Sequence, residues 1–411
     1  METIKPYAVI LAGGRGSRLP IAGSTPKQFA PKFNDVTFVQ DVVKMITDGA
    51  IKPARTIIVV TNEEQRNLAI SQLTPLHVPS TNVVMFDPHL GYVAVMAAAA
   101  DYVRGIDPEG VIFFSPSDQH IVGQEEFTAA IEMSCAEAAK GKPVLVGVKV
   151  ADANIVGGCG NAMYDAAQTG PFYDILDFIE KPLKNGGPER VKKILLDDNT
   201  VVNTGFYAVK AEQFCQAYPL HHVVKLLDDY YVTKSEKTDL GLDPTEMVKA
   251  LNMKLMIGNF EWMDCGTLAA YYDIQHKTPN HRNASIGQVT RFKCMESMFV
   301  SSTKGVHIYS SFIKDNIAVL AFMTKEGELN VAVVNMAMSQ LVGDITDFFE
   351  SGSAMSYSLK SRNCFVMPSN LSDVTRVAFL GVQNIFVFTN RLDDGDINVN
   401  VSANGECVYD E

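Results

Sequence analysis

Three glycines, Gly13, Gly14 and Gly16, follow the apolar run Tyr7–Leu11 in the stretch "YAVILAGGRGSRL". Glycine admits positive φ and lets a ligand come close to the backbone, so such a turn can aim several N–H groups at one anion. Arg18 adds a forked donor matched to phosphate oxygens, and Lys27, in "PKQF", adds a mobile point charge. The chemistry on offer is the holding of a triphosphate. The competing reading is a tight strand–helix turn and nothing more. A Walker phosphate loop needs Gly-Lys-Ser/Thr, whereas here Gly16 is followed by Ser17-Arg18. Asp118, in "VIFFSPSDQHIV", stands just past a second apolar run, where a carboxylate can ligate Mg²⁺ bridging nucleotide phosphates. Alternatively, Ser117 or Asp118 caps a following helix.

Three more stretches hold chemistry-bearing residues that say less when taken alone. In "FEWMDCGTLAAYYD", Asp264 precedes a Cys265-Gly266 turn and by itself reads as a helix cap, with Trp262 in the core. "DFIEKPLKNGG" puts Glu180-Lys181-Pro182 at a strand end, where a solvated ion pair is the plain reading. In "VVNTGFYAV", Asn203 begins an Asn-Thr-Gly turn that would open a strand. His120 reads as a polar loop residue.

The elements that must position these residues alternate. Short apolar runs, "YAVILA", "RTIIVV", "NVVMFD", "GVIFFSP", "PVLVGVK", "DILDFIE" and "NTGFYAV", read as strands. Helical patterns separate them: "TFVQDVVKMITDG", "EEQRNLAISQL", "AVMAAAADYVRG", "EEFTAAIEMSCAEAAKG", "GPERVKKILLDD" and "HHVVKLLDDYY". Strands apolar throughout are expected where helices cover both faces of a parallel sheet. The alternation predicts an α/β fold with a mostly parallel sheet, ligands gathering at the carboxyl ends of its strands. After about residue 285 the texture turns β-rich and Gly/Asn-punctuated. Two stretches there, "GVHIYSSFIKDNIAVLAFMTKEGELNVAVVN" and "NCFVMPSNLSDVTRVAFLGVQNIFVFTN", each run strand, polar break, strand, turn, strand. A repeated, β-helix-like unit is expected. Two domains follow, 1–284 and 285–411.

With 411 residues, two domains are also what length alone suggests. Hydrophobic residues make up 47% and charged ones 20%, which describes a packed globular chain rather than a disordered one. The net charge of −12 argues against nucleic acid as partner, since binding there is driven by clustered cations. It leaves open a small phosphorylated substrate, which needs only a few local cations. Seven scattered cysteines, without Cys-x-x-Cys spacing, fit reduced thiols. The N-terminus enters a strand almost at once, and no apolar run approaches the ~20 residues of a membrane helix. A cytoplasmic protein, apart from nucleic acid and membrane, is expected.

The ordered series "LAGGRGSRL", "PKQF", "PSD", "EKP", "NTG", "DCGT" resembles sugar-1-phosphate nucleotidylyltransferases, and "PKQF" is similar to the mannose-1-phosphate guanylyltransferase branch. The resemblance implies a Rossmann-like nucleotidyltransferase domain followed by a small β domain of structural or oligomer-forming role, in a homo-oligomer. It implies transfer of a nucleotidyl group from a nucleoside triphosphate, GTP in this branch, to a sugar 1-phosphate, mannose 1-phosphate in this branch. Nucleotide contacts are implied for Leu11, Ala12, Gly13, Gly14, Gly16, Ser17, Arg18, Lys27, Gly91 and Asp118. Asp118 and Asp264 are the implied Mg²⁺ ligands. Lys181 is implied to contact the sugar phosphate, and Glu180, Asn203 and Gly160 to surround the sugar. Arg18, Lys27, Asp118 and Lys181 form the implied catalytic set. Departures stand beside these. The branch's Trp-Pro-Leu-Ser is "LPIAGST" here, its "NTAPA" is "GYVAV" (Gly91 to Val95), its "GYGYI" is "GCGNA" (Gly158 to Ala162), and Gln119 intervenes before His120. Another base or sugar, or an idle nucleotide-sugar sensor, are the rival readings.

Overall fold

A computed structural model of the chain describes residues 4–14, 25–33, 36–49, 52–86, 91–220, 243–266, 268–275, 283–286, 288–292, 294, 297–301, 306–311, 313, 317–324, 328–336, 348–349, 356–362, 364–368, 375–392 and 396–403. The chain divides into two units, one of Met1–Gly13 with Val42–Met263, the other of Gly14–Asp41 with Asp264–Glu411.

The apolar runs of the first unit become a nine-stranded sheet. From one edge its strands are Val83–Met85, Arg55–Val60, Tyr7–Leu11, Val111–Pro116, Thr200–Lys210, Val144–Val148, Lys254–Ile257, Phe172–Ile179 and Asn161–Tyr164. Tyr7–Leu11 runs parallel to both neighbours, as do Arg55–Val60 with Val83–Met85 and Val144–Val148 with Lys254–Ile257. The remaining pairings are antiparallel. Thr200–Lys210 makes three of them, the third with Asn161–Tyr164, and Phe172–Ile179 makes two. The sheet is therefore mixed, which corrects the expectation of a mostly parallel one. Unbroken apolarity reports burial on both faces and not strand direction. Val144–Val148 is buried at all five positions while pairing parallel on one side and antiparallel on the other.

Helices cover the sheet for reasons visible in their sequences. Gly91–Ile106 buries Val93, Met96, Ala97, Ala100 and Val103 in one core with Val9, Val59 and Phe114 of the strands. Its run of alanines gives a low-profile face that a flat sheet can meet closely. Glu63–Leu73 starts where Asn62 caps it, the side chain accepting from the Gln65 N–H at 2.9 Å. Gln124–Ala139 sends Phe127 against Phe206 and Phe260, ring centroids 5.2 Å away in each case, and Phe113 stacks on Phe206 at 5.7 Å. The helix expected in "GPERVKKILLDD" begins earlier, at Pro182, and is broken at Gly187, whose φ of 72° is left-handed. The helix expected in "HHVVKLLDDYY" lies outside the described residues.

In the second unit, the 14–41 piece folds as a short turn at Lys27–Phe29 and a strand pair, Pro31–Phe33 with Val36–Thr37. Beyond residue 282, the described strands form two sheets. One has the order Asn283–Ile286, Ser297–Ser301, Ile317–Met323, Leu329–Asn335, Thr375–Leu380, Ser356–Leu359. The other has Gln288–Phe292, Val306–Ser311, Ile397–Ala403, Ile385–Arg391, Phe365–Pro368. Phe299, Val319, Val333 and Phe379 of the first share a core with Ile308, Ile385, Val387 and Val399 of the second. The two similar stretches each supply three strands, but they diverge at the third. Leu329–Asn335 hairpins antiparallel onto Ile317–Met323 in the same sheet, whereas Ile385–Arg391 follows Thr375–Leu380 into the other sheet. Among the described residues, no helix is long and apolar enough to cross a membrane.

Candidate active site

The glycine turn starts where the pairing of Tyr7–Leu11 ends. Ala12 N–H still donates to Val59 C=O at 2.7 Å, and the carbonyl of Leu11 accepts from Ser117 Oγ at 2.8 Å. The carbonyl of Gly13 accepts from Thr61 Oγ1 at 3.0 Å and from Gln65 Nε2 at 3.3 Å. A Cβ on Gly13 would stand 2.4 Å from Thr61 Cγ2, so no larger residue fits, whereas one on Gly14 would meet nothing within 4 Å. One glycine is demanded by the fold; at the other, the exposed backbone is free for a ligand's approach. Gly16, Ser17 and Arg18 lie outside the described residues.

Register brings Asp118 to the same sheet end as this turn. Tyr7–Leu11 and Val111–Pro116 run parallel with Leu11 opposite Pro116, so the glycines and Ser117-Asp118 leave the sheet together. No helix follows Asp118. The strand Gln119–Val122 does, and the helix Gln124–Ala139 starts only after Gly123. The capping reading of Asp118 is thereby excluded.

Asn203 arrives from the opposite direction. Thr200–Lys210 is antiparallel to Val111–Pro116, so its beginning lies beyond Pro116. Asn203 sits inside this strand at a register break rather than in a turn that opens it. Its Oδ1 accepts from Gly205 N–H at 2.9 Å, and its Nδ2 donates to the Tyr207 hydroxyl at 2.7 Å. Gly205 has φ +79°, and a Cβ there would be 2.8 Å from Pro116 Cγ. The bulge needs glycine on both counts.

The expected sugar residues come together around that bulge. Asn203 N–H donates to Gly160 C=O at 2.8 Å, and Lys181 N–H to Cys159 C=O at 3.2 Å. A Cβ on Gly160 would be 2.8 Å from Glu180 Oε2 and 2.6 Å from Phe178 Cζ, so this glycine lets the glutamate fold over the backbone. Lys181 has left-handed φ of 43°, a strained conformation for a side-chain-bearing residue, and its Nζ lies 3.4 Å from Glu180 Oε1.

Lys27 and Asp264 form a separate group in the second unit. Lys27 is buried (3% exposed), with Nζ 3.9 Å from Asp264 Oδ1 and 5.3 Å from the Phe38 ring centroid. The neighbouring buried Lys32 pairs with Asp41 and lies 5.6 Å from the same ring. Two cations thus share the face of one aromatic ring. A Cβ on Gly266 would be 3.0 Å from Asp264 Oδ2, so the Cys-Gly turn leaves room for the carboxylate to fold back.

Several residues central to this arrangement were not singled out from sequence. Gln119 is buried, donates through Nε2 to the Thr204 carbonyl and accepts from Trp262 Nε1 at 2.7 Å. It ties the Asp118 segment to the Asn203 bulge, and it gives Trp262 a polar partner besides its core role. Its insertion between Asp118 and His120 was the available signal. Tyr92, in the departure "GYVAV", follows the expected Gly91, whose φ is +70° at the start of its helix. The Tyr92 hydroxyl lies 3.4 Å from Gly205 C=O. Its pKa is pushed well above the ordinary phenol value, first by desolvation and then by Tyr207, Asp118 and Glu180.

Among the described residues, no three acidic, His or Cys side chains converge as a metal cluster. Asp118 and Asp264 are hard oxygen donors of the type Mg²⁺ accepts when phosphates and water complete its shell, so their chemistry fits that ion.

A family model described as nucleotidyl transferase matches residues 7–281, and the chain belongs to this family, that of the sugar-1-phosphate nucleotidyltransferases. Its members generally use a divalent metal and bind a nucleoside triphosphate and a sugar 1-phosphate. The chain is 25% identical over 342 residues to the mannose-1-phosphate guanylyltransferase of Sinorhizobium fredii, covering 78% of this chain and 64% of that one. It is 23% identical over 356 residues to mannose-1-phosphate guanylyltransferase ManC of Salmonella typhimurium, covering 78% and 69%. It thus spans about two thirds of the length of these relatives. A Thermus thermophilus structure titled as a mannose-1-phosphate geranyltransferase shares the fold, with a TM-score of 0.64 at 18% identity, over 84% of this chain and all of that one.

Proposed function

We propose that the chain joins GTP and mannose 1-phosphate into GDP-mannose, releasing pyrophosphate. The observation that carries this reading is the convergence of Gly160, Glu180, Lys181 and Asn203 on the sheet end that also holds Gly13 and Asp118. A polyphosphate subsite and a polyol-phosphate subsite on one edge are what such a transfer needs. The two guanylyltransferase relatives support the choice of base and sugar.

The sugar phosphate is already ionised at neutral pH, so neither a general base nor a covalent enzyme intermediate is required. The protein's task is to hold two polyanions in line and offset charge on the departing pyrophosphate. Leu11, Ala12, Gly13, Gly14, Gly16 and Ser17 would offer backbone to the triphosphate, Arg18 and Lys27 its counter-charge, and Gly91 the space for the nucleoside. Lys181 would grip the incoming phosphate, with Glu180 and Asn203 facing sugar hydroxyls across Gly160. Asp118 and Asp264 would hold Mg²⁺, which when bound neutralises phosphate charge. We assign catalysis to residues 1–284 and oligomer contacts or capping to 285–411, in a cytoplasmic homo-oligomer. The end of the family match at 281 and the described strands from Asn283 onward support that boundary.

The test is pyrophosphate release by the full chain with Mg²⁺, GTP and mannose 1-phosphate, using Asp118→Asn as control. Release that the variant loses is the expected result. Release only with another triphosphate or sugar 1-phosphate would overturn the substrate pair, and tight nucleotide-sugar binding without turnover would overturn the transferase reading in favour of a sensor.

A further inference from the structure

The Tyr92 hydroxyl lies 3.4 Å from Gly205 C=O, in the bulge that carries Asn203. This inference rests on the function proposed above. The incoming phosphate must lie between a sugar, on the side of Glu180 and Asn203, and the triphosphate, on the side of Asp118. The Tyr92 hydroxyl reaches the bulge that carries Asn203, and a Cβ on Gly205 would stand 3.5 Å from that hydroxyl and 2.8 Å from Pro116 Cγ, two residues before Asp118. The residue is 37% exposed, so part of it remains open to solvent.

The groups around that hydroxyl are unequal in kind. The Gly205 carbonyl is an acceptor, and the Tyr92 phenol, protonated at neutral pH, is a donor. At 3.4 Å its bond to Gly205 C=O is long for an O–H donor, which prefers about 2.7–2.8 Å. An anionic oxygen draws such a donor to shorter distance and about twice the strength. The hydroxyl is therefore a weakly committed donor at the place where a phosphate would arrive.

We propose that Tyr92 is a substrate-contacting residue of this chain, its hydroxyl leaving Gly205 C=O to donate to a phosphate oxygen of the bound sugar 1-phosphate.

The test is Tyr92→Phe, which removes the oxygen and keeps the ring. At saturating triphosphate, KM for mannose 1-phosphate rises about tenfold or more, as expected for a lost bond to a charged group. KM for GTP and the thermal midpoint stay unchanged. Calorimetric titration adds a readout apart from turnover: the variant binds mannose 1-phosphate more weakly than wild type, while free mannose does not distinguish them. An active wild type with an unchanged KM in the variant overturns the role of Tyr92 and leaves the transferase reading standing. If no substrate pair yields pyrophosphate, that reading falls and the titration decides. Weaker sugar-phosphate binding by the variant still carries the contact; equal or undetectable binding by both proteins overturns it.

Discussion

Lys27 Nζ lies 3.9 Å from Asp264 Oδ1, so a cation expected on phosphate and a carboxylate expected on metal are neighbours, 237 residues apart in sequence. The lysine is buried and the aspartate only half-buried, which makes the lysine the fixed partner. Anything that binds Asp264 does so beside a positive charge, and that favours an ion already coated by phosphate oxygens over a bare one.

Replacing Lys27 with Met is expected to lower turnover by about tenfold or more, from the loss of a charge-assisted contact to phosphate. Lys27→Arg is expected not to rescue it, because the wider guanidinium has no room over Phe38 at a site only 3% exposed. Steady-state pyrophosphate release on both variants checks this. Full activity in the Arg variant would place Lys27 outside the machinery.

Asp118→Asn should abolish most turnover while leaving the urea midpoint near wild type, since that site is partly exposed. Asp264→Asn should abolish most turnover and also lower the midpoint, because buried Lys27 loses the carboxylate 3.9 Å away. Near-normal rates in both proteins would end the metal assignment.

Gln119→Leu keeps the volume but strands the Trp262 N–H and the Thr204 carbonyl. Two buried groups left without partners cost about 2–4 kcal/mol, measurable as a shift in the urea midpoint. Gln119→Glu keeps an acceptor for Trp262 but sets an oxygen against the Thr204 carbonyl, so it should be destabilising as well. A neutral result for the Leu variant would mean the bridge contributes nothing net.

Acid should weaken the helix Gln124–Ala139 through Glu137. Donation from Lys140 at 2.7 Å, and then from Lys142, outweighs the opposing effect of burial and lowers this carboxyl's pKa below its usual 4.5. A depressed folded pKa gives stability that is present above the unfolded value and fades as pH falls through the folded one. Thermal midpoints measured from pH 7 down to pH 3 should drop more steeply below about pH 4.5 in wild type than in Glu137→Gln. Parallel curves would remove Glu137 from the account.

Apolar runs and turn glycines made much of the first unit legible. The helix at Glu63–Leu73 coincides with its pattern, and the strands at Tyr7, Arg55 and Val111 lie within a residue of theirs. Strand direction was not legible, because Val144–Val148 looks alike whichever way its neighbours run. Short strands such as Asn161–Tyr164 and Lys254–Ile257 escaped too, being defined by pairing to partners far along the chain rather than by their own four residues. Glycines that the backbone requires announced themselves, as at Gly13 and Gly160. Gln119 and Tyr92 did not, since a buried amide bridge and a half-exposed phenol are defined by what surrounds them.

Consider last how the second unit comes into being on a ribosome. Tyr271 donates to the carbonyl of Pro31 at 2.7 Å across 240 positions, and its ring lies 5.9 Å from Phe38. The 14–41 piece therefore lacks its own partners until some 240 further residues have been made. At roughly 5–20 residues per second, that is a wait of about 10–50 s. During it, Phe29, Phe38 and two lysines destined for burial stay without their final cover. A chain stopped short of Tyr271 would leave Pro31 and Phe38 without the cover they have in the finished protein.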